Sequence, residues 1–426
     1  MSVWGKFRGA MASHHIAGLA AFLALGCSGG EVKIVDPPPT GSSGLKITIA
    51  PEPADQSFAQ LLGWTSGIPG AEIRVTPLDS TVGRSQTFTA DASGSASVSG
   101  LAPEQYVVEA RRLLSASELA KFGTGRDPTG FAGRGTIHVS PTVSSAIVTI
   151  PASRRRSLLI NEVSWQAVFQ ALPDGATYYD NGFIEMYNNS DTIIHLDGMT
   201  IGQPINIFRN YPDFPCSMFE RFRNDATGIW AQVIFVFPGA GQDYPLAPGK
   251  LVVVAQDAID HSGIFPGLPD LSGAAFEFTG RPGDVDNPAS ANLISRGGYT
   301  APHGMLNMSL GGTIFVAAPV NFADLESGRD PRNDNVLSKF PAATILDTFS
   351  TVFPNDDYPE NPYCSELVNR AFDRETGKFF SESRGSFQIS QSRRSIGVTA
   401  DSRPIVQSTR SSAMDFVNGP FSPGRM

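Results

Sequence analysis

Leu45-Lys46-Ile47-Thr48-Ile49 alternates apolar and polar side chains. The same period of two returns at Ala71-Glu72-Ile73-Arg74-Val75 and at Gln86-Thr87-Phe88-Thr89-Ala90. Successive side chains of a strand point to opposite faces, so this pattern predicts strands with one face on a core and the other in water. Ser97-Val98-Ser99-Gly100-Leu101, Gln105-Tyr106-Val107-Val108-Glu109-Ala110 and Ala146-Ile147-Val148-Thr149-Ile150 continue the series, with turn residues between them. Across the chain, 43 Gly and 32 Pro break up long helices. Ala116 to Phe122 is the clearest stretch with a 3.6-residue period. A mainly β protein is expected, and 426 residues suffice for two or three domains.

The first series ends at Ile150, and apolar strand-like sequence restarts at Leu158-Leu159-Ile160-Asn161-Glu162-Val163. We therefore expect one β-sandwich over 45–152 and a larger β unit over 157–426. Arg154-Arg155-Arg156 would be a solvated joint between them. The larger unit continues with Phe183-Ile184-Glu185-Met186-Tyr187-Asn188-Asn189-Ser190-Asp191 and Ile193-Ile194-His195-Leu196-Asp197-Gly198-Met199-Thr200-Ile201. Gly249 to Ala255 and Gly312 to Ala317 read as further strands.

Two resemblances sharpen this picture. Ile68-Pro69-Gly70-Ala71-Glu72-Ile73-Arg74-Val75, the Gly-containing turn Asp91-Ala92-Ser93-Gly94 and Gly100-Leu101-Ala102-Pro103-Glu104-Gln105-Tyr106 resemble the carboxypeptidase-regulatory-like, or prealbumin-like, repeat. That resemblance implies a spacer or adhesion sandwich, with Asp91 and Asp127 as turn formers. The three opening strands of 157–426 resemble the lamin-tail domain, an immunoglobulin-like sandwich, with Met199 where that family often has Trp. Ser411-Ser412-Ala413-Met414-Asp415-Phe416 and Pro420-Phe421-Ser422-Pro423-Gly424 are similar to an uncharacterised lamin-tail-like family of bacterial surface lipoproteins. Long inserts would then fall at 202–247, 257–305 and 350–385. The resemblance also implies an accessory role beside outer-membrane TonB-dependent receptors.

The N-terminus agrees with export. Lys6 and Arg8 precede the apolar run Ile16 to Leu25, which is too short to cross a bilayer ~30 Å thick, so residues 1–26 read as a signal peptide. Leu23-Ala24-Leu25-Gly26-Cys27 resembles the lipobox of bacterial lipoproteins, which implies lipidation of Cys27. Residues 27–44 are a Gly, Ser and Pro linker that would lift the folded body off a membrane. The localisation expected is extracytoplasmic and lipid-anchored, at a bacterial outer membrane. Two cysteines remain, Cys216 and Cys364. Export permits a disulfide, but spacing leaves a bridge and two separate thiols equally open.

The formal charge is −9, and it becomes −11 once Lys6 and Arg8 leave with the signal. Such acidity argues against nucleic acid and against electrostatic docking on an anionic membrane. The anchor would have to be the lipid. The chain holds no H-E-x-x-H or G-x-x-x-x-G-K-[ST] signature, and its one G-x-S-x-G match, Gly26-Cys27-Ser28-Gly29-Gly30, straddles the end of the leader and the linker, which argues for a binding protein and against an enzyme. Glu162 and Glu185 could form a catalytic carboxylate pair, but within signature strands they are expected to hold structural partners. Asp257-Ala258-Ile259-Asp260-His261 reads as a surface loop with weak metal-binding chemistry. Asp284, Asp286, Asp356 and Asp357 are weak Ca²⁺ candidates, and no cofactor is otherwise implied. The aromatics Tyr178, Tyr179, Phe208, Tyr211, Phe214, Phe219, Phe222 and Trp230 would either pack their own segment or form a protein- or glycan-binding surface, with Phe208, Tyr211 and Phe214 as anchors. The reading is a tethered binding protein. The rivals are a metal-dependent hydrolase using the acidic loops, and a structural envelope protein.

Overall fold

The computed structural model describes residues 44–125, 127–165, 178, 180–205, 212–278, 286–296, 311–352, 364, 366–378, 389–399 and 401–425. The signal, Cys27 and the linker up to 43 lie outside them.

The alternating segments form the first sandwich. Leu45–Pro51 pairs antiparallel with Ser95–Val98 and parallel with Ser145–Ile150. A five-stranded antiparallel sheet follows the order Gln86–Thr89, Glu72–Pro77, Gln105–Leu113, Gly130–His138 and Ala152–Ser153. The period of two decides what is buried. Ile73 and Val75 enter the core with Ile47, Ile49, Val108, Phe131 and Ile150, while Glu72 and Arg74 stay outside. The helical stretch expected at Ala116 to Phe122 opens as Ala116–Leu119, held by a capping box between Ser115 and Glu118, and tightens to a 3₁₀ turn after it.

Asp91 is a turn former, as its position implied. Its Oδ1 accepts from the backbone nitrogens of Ser93 and Ser95 at 2.8 and 3.0 Å. Gly94 completes this turn at φ +79°, and a Cβ there would lie 2.4 Å from the Ile68 nitrogen. Gly94→Ala combines a left-handed backbone with a clash against main chain. It should lower unfolding free energy by at least about 2 kcal/mol. Urea denaturation checks this, and a loss below about 0.5 kcal/mol would contradict it.

The larger unit packs two sheets face to face. One has the order Ala291–Asn292, Phe276–Glu277, Leu251–Ala255, Phe183–Asn188, Leu158–Ser164, Ile389–Arg393 and Phe416–Pro420. The other runs Glu326–Arg329, Val336–Pro341, Gly228–Val236, Thr200–Pro204, Gly311–Ala317, Ile345–Val352 and Gly377–Lys378, with Ile294–Ser295 beside Gly228–Val236. Their facing side chains, among them Ile160, Ile184, Val254, Ile201, Phe235, Ile314 and Phe349, make one core. Leu158–Ser164, Phe183–Asn188, Gly228–Val236 and Gly311–Ala317 are buried at every residue. Their sequences therefore do not alternate cleanly.

Two expectations need correction. The segments 202–247, 257–305 and 350–385 are not simply inserts. The first supplies the central strand Gly228–Val236, the second supplies Phe276–Glu277, Ala291–Asn292 and Ile294–Ser295, and the third carries Gly377–Lys378. The joint at Arg154 to Arg156 is not a solvated one. Arg154 pairs with Asp55 at 3.2 Å and lies 4.2 Å over the Phe58 ring. Arg155 pairs with Asp191, and Arg156 donates to the Leu346 carbonyl at 3.0 Å. Successive arginines thus reach into both sandwiches, which share one packed unit spanning 41–426.

Candidate functional site

Glu162 and Glu185 face each other across paired strands, and both are fully buried. Neither is open to a substrate. Glu162 accepts from the Ser422 nitrogen at 2.9 Å and from its hydroxyl at 2.7 Å. Glu185 accepts from Asn161 Nδ2 at 2.7 Å and from the Gly424 nitrogen at 2.5 Å. The pair fastens the C-terminal tail over the sheet, in line with a structural role. Burial, with the charge of Glu162 adding to it, pushes the Glu185 carboxyl up to about 7. Burial likewise raises Asp373 to about 7, against hydrogen bonds from Ser412.

These shifts have a sign. The folded chain keeps both protons to about pH 7, whereas the unfolded chain releases them near the ordinary carboxylate range. Their stabilisation is full below that range and is lost as pH rises through 7. The melting temperature should therefore fall from pH 5 to pH 7.5. A rise across that window would contradict the assignment.

The Asp257 to His261 segment is not a surface loop at its histidine. His261 is fully buried. Its Nε2 sits 2.9 Å from the Asp257 carbonyl, so Nε2 donates and Nδ1 accepts from the Tyr178 hydroxyl at 2.6 Å. Burial lowers its pKa, which keeps the ring neutral. Asp286 is exposed and accepts from Asn292 at 2.6 Å, while Asp284, Asp356 and Asp357 lie outside the described residues. Among the described residues, no three His, Cys, Asp or Glu side chains gather closely enough to hold a metal.

The aromatic segment is mostly core. Phe219, Phe222 and Trp230 pack with Ile205 and Leu337 around the disulfide that joins Cys216 to Cys364. Phe222 meets Trp230 edge to face at 5.3 Å, and Trp230 Nε1 donates to Asp225 at 3.0 Å. Burial opposes charge on Asp225, but hydrogen bonds from Lys339, Thr227 and Trp230 hold its carboxyl well below the usual range. Tyr178 is buried as well. Phe214 is 40% exposed, and Phe208, Tyr211 and Tyr179 lie outside the described residues. No aromatic surface is assembled among the described members of the set.

A different site emerges from strands of both sandwiches. The outward face of the first sandwich's larger sheet places Arg74 opposite Glu109, and Glu109 opposite Arg134. One register step away, Glu72 stands opposite Arg111 and pairs with it at 2.8 Å. The hairpin Ser395–Val398 with Pro404–Val406 covers part of this face. Gly397 allows the approach, since a Cβ there would fall 2.1 Å from Leu113 Cδ1. The turn before the hairpin brings in Arg394, whose Nη1 lies 3.3 Å from Glu109.

The result is a cleft of about 300 Å³ holding four guanidiniums against two carboxylates. Arg134 and Arg394 also border a second cavity of about 450 Å³, lined by Lys378, Glu375, Thr376 and Gln391. Burial lowers the Arg394 pKa, opposed by Glu109 and reinforced by the like charges of Arg134 and Arg74. Arg74 and Arg134 form no ion pair among the described residues. The chain is acidic overall, yet here it concentrates positive charge. A guanidinium fork suits the oxygens of carboxylates and phosphates.

The four arginines span positions 74 to 394, so their convergence was not readable from spacing. Their one local signal is charge on the outward positions of alternating strands, in Glu72-Ile73-Arg74 and Glu109-Ala110-Arg111. That signal first reads as ordinary solvated surface.

Fold and site together define a mainly β, two-sandwich protein with an arginine-lined cleft between its parts. No protein-family model matches the chain, and no curated protein matches it. Among solved structures, it is similar to a DUF4876 family protein from Bacteroides thetaiotaomicron, at 17% identity over 88% of this chain and 95% of that one, with a TM-score of 0.45. A DUF3823 family protein from Bacteroides uniformis aligns at 11% identity over 74% of this chain and 100% of that one, with a TM-score of 0.16.

Proposed function

We propose that this chain is a lipid-anchored extracytoplasmic binding protein whose working surface is the arginine-lined cleft. That cleft is the observation that carries the reading. A concave, charged site between two sandwiches suits recognition, and Arg74 and Arg134 have no ion pair among the described residues to compete with a partner. The exported, tethered character rests on the leader, on the lipobox-like Leu23 to Cys27 and on a disulfide that suits an oxidising compartment. No helix among the described residues is long and apolar enough to cross a membrane. The resemblance to surface lipoproteins adds an accessory role beside an outer-membrane TonB-dependent uptake system.

Capture from intact cells tests this reading. The wild-type mature chain should retain a specific partner or ligand that Arg74→Glu/Arg134→Glu loses, with the melting temperature nearly unchanged. Equal capture by both forms would remove the cleft from the function.

A further inference from the structure

The electrostatics of the two cavities go further than a general affinity for anions. The first cleft carries a surplus of two positive charges over its carboxylates. Glu72 engages Arg111, and Glu109 engages Arg394. Among the described residues Arg74 and Arg134 are left without an acidic partner, one on each strand flanking Glu109. Adjacent strands lie about 4.8 Å apart, so the Cα atoms of Arg74 and Arg134 are roughly 10 Å apart. Two long side chains can span that gap and meet above it, beside the guanidinium of Arg394. A planar carboxylate offers two oxygens and one charge. A phosphate monoester offers three peripheral oxygens and close to two charges, which matches three guanidiniums and the local surplus.

The second cavity supplies the other half of the argument. Beyond Arg134 and Arg394 it sets the polar Thr376, Gln391, Ser412 and Asn418 beside the apolar Ala413, Phe416 and Val417, and the charge of its Lys378 is balanced by Glu375. Thr376 and Asn418 offer hydrogen-bonding groups. Gln391 gives its amide nitrogen to Asn418 Oδ1 at 3.2 Å, and its buried Oε1 has no donor among the described residues. Such a lining fits a body rich in hydroxyls that also has an apolar face, as a sugar ring does. Because Arg134 and Arg394 border both cavities, a phosphate held in the first can carry a sugar ring into the second.

Resting on the binding reading above, we infer that the cleft recognises a phosphorylated sugar, with Arg74, Arg134 and Arg394 on the phosphate and the Thr376, Gln391 and Asn418 side on the sugar hydroxyls. Glu109 positions Arg394 and spaces the other two arginines.

Isothermal titration of the full mature chain with glucose 6-phosphate tests this, with inorganic phosphate, glucose and succinate as comparators. Glucose 6-phosphate should bind tightest, and its affinity should fall as salt rises. Arg74→Ala and Arg134→Ala should each weaken it about tenfold or more, because each removes a charge-assisted contact from an exposed side chain. Arg403→Ala, which removes an arginine paired elsewhere, should leave it unchanged. Circular dichroism and melting of each variant show that the fold is kept. Equal affinity for glucose, for succinate or for inorganic phosphate would overturn the inference, as would binding that survives the double variant. Undetectable binding of glucose 6-phosphate at millimolar concentration would overturn it too. If cell capture still depended on Arg74 and Arg134, the binding reading would survive with a different ligand. If capture did not, both readings would fall together.

Discussion

Arg393→Ala is expected to destabilise the protein by about 3–5 kcal/mol, because it strips a buried guanidinium from two buried carboxylates. The Arg393 side chain is 1% exposed and lies between Asp347 and Asp415, which are equally enclosed. Its Nε donates to the Ile160 carbonyl at 2.7 Å and its Nη1 to the Gln407 carbonyl at 2.8 Å. The guanidinium therefore ties four parts of the larger unit together. Asp347 also accepts from the Ile160 nitrogen at 2.9 Å, and Asp415 from the Thr409 nitrogen at 2.8 Å. The Phe416 ring lies 4.5 Å below the Arg393 charge. Removing the arginine leaves two acids desolvated, with two carbonyls lacking a donor. Arg393→Lys restores charge but only one donor group, so it should recover a minor part of the loss. Chemical denaturation at pH 7 measures both variants. A cost below about 1 kcal/mol for the alanine variant would show that the network relaxes without its centre.

The Cys216–Cys364 bridge should have the second large effect. It closes a separation of 148 residues and sits against Phe219, Phe222 and Trp230. Cross-links over long loops restrict the unfolded chain, and their loss typically costs 2–5 kcal/mol. Cys216→Ala/Cys364→Ala is therefore expected to lower stability by roughly that amount. Thiol titration of the unfolded, unreduced mature chain should find neither cysteine free. Two reactive thiols, or a variant as stable as the parent, would contradict the bridge.

Legibility in the sequence divides along burial. Where strands have one wet face, alternation shows them. Ile73 and Val75 turn inward and Glu72 and Arg74 outward, as their spacing says. Gly228-Ile229-Trp230-Ala231-Gln232-Val233-Ile234-Phe235-Val236 gives no such signal, because both of its faces are covered and all nine residues are buried. Read alone, it falls inside an apparent aromatic insert. The aromatics were ambiguous for a related reason. Phe219, Phe222 and Trp230 are the core of a small cluster that the disulfide completes across distant sequence. Glu162 and Glu185 were legible as structural carboxylates, but their partners were not, because Ser422 and Gly424 come from the far end of the chain. The cleft was hidden most completely. Its arginines reside on strands of the first sandwich and in the turn before a hairpin of the second, and only the packing of the two brings them together.

The most direct measurement of that central claim is arginine-selective labelling with phenylglyoxal, read residue by residue by mass spectrometry. The protein is labelled once alone and once in the complex captured from cells. Arg74 and Arg134 are exposed and should react readily in the isolated chain. In the captured complex both should be protected severalfold, while Arg329, exposed on an edge strand of the second sandwich, reacts at an unchanged rate. Reactivity of Arg74 and Arg134 that stays the same with the partner bound would contradict the account.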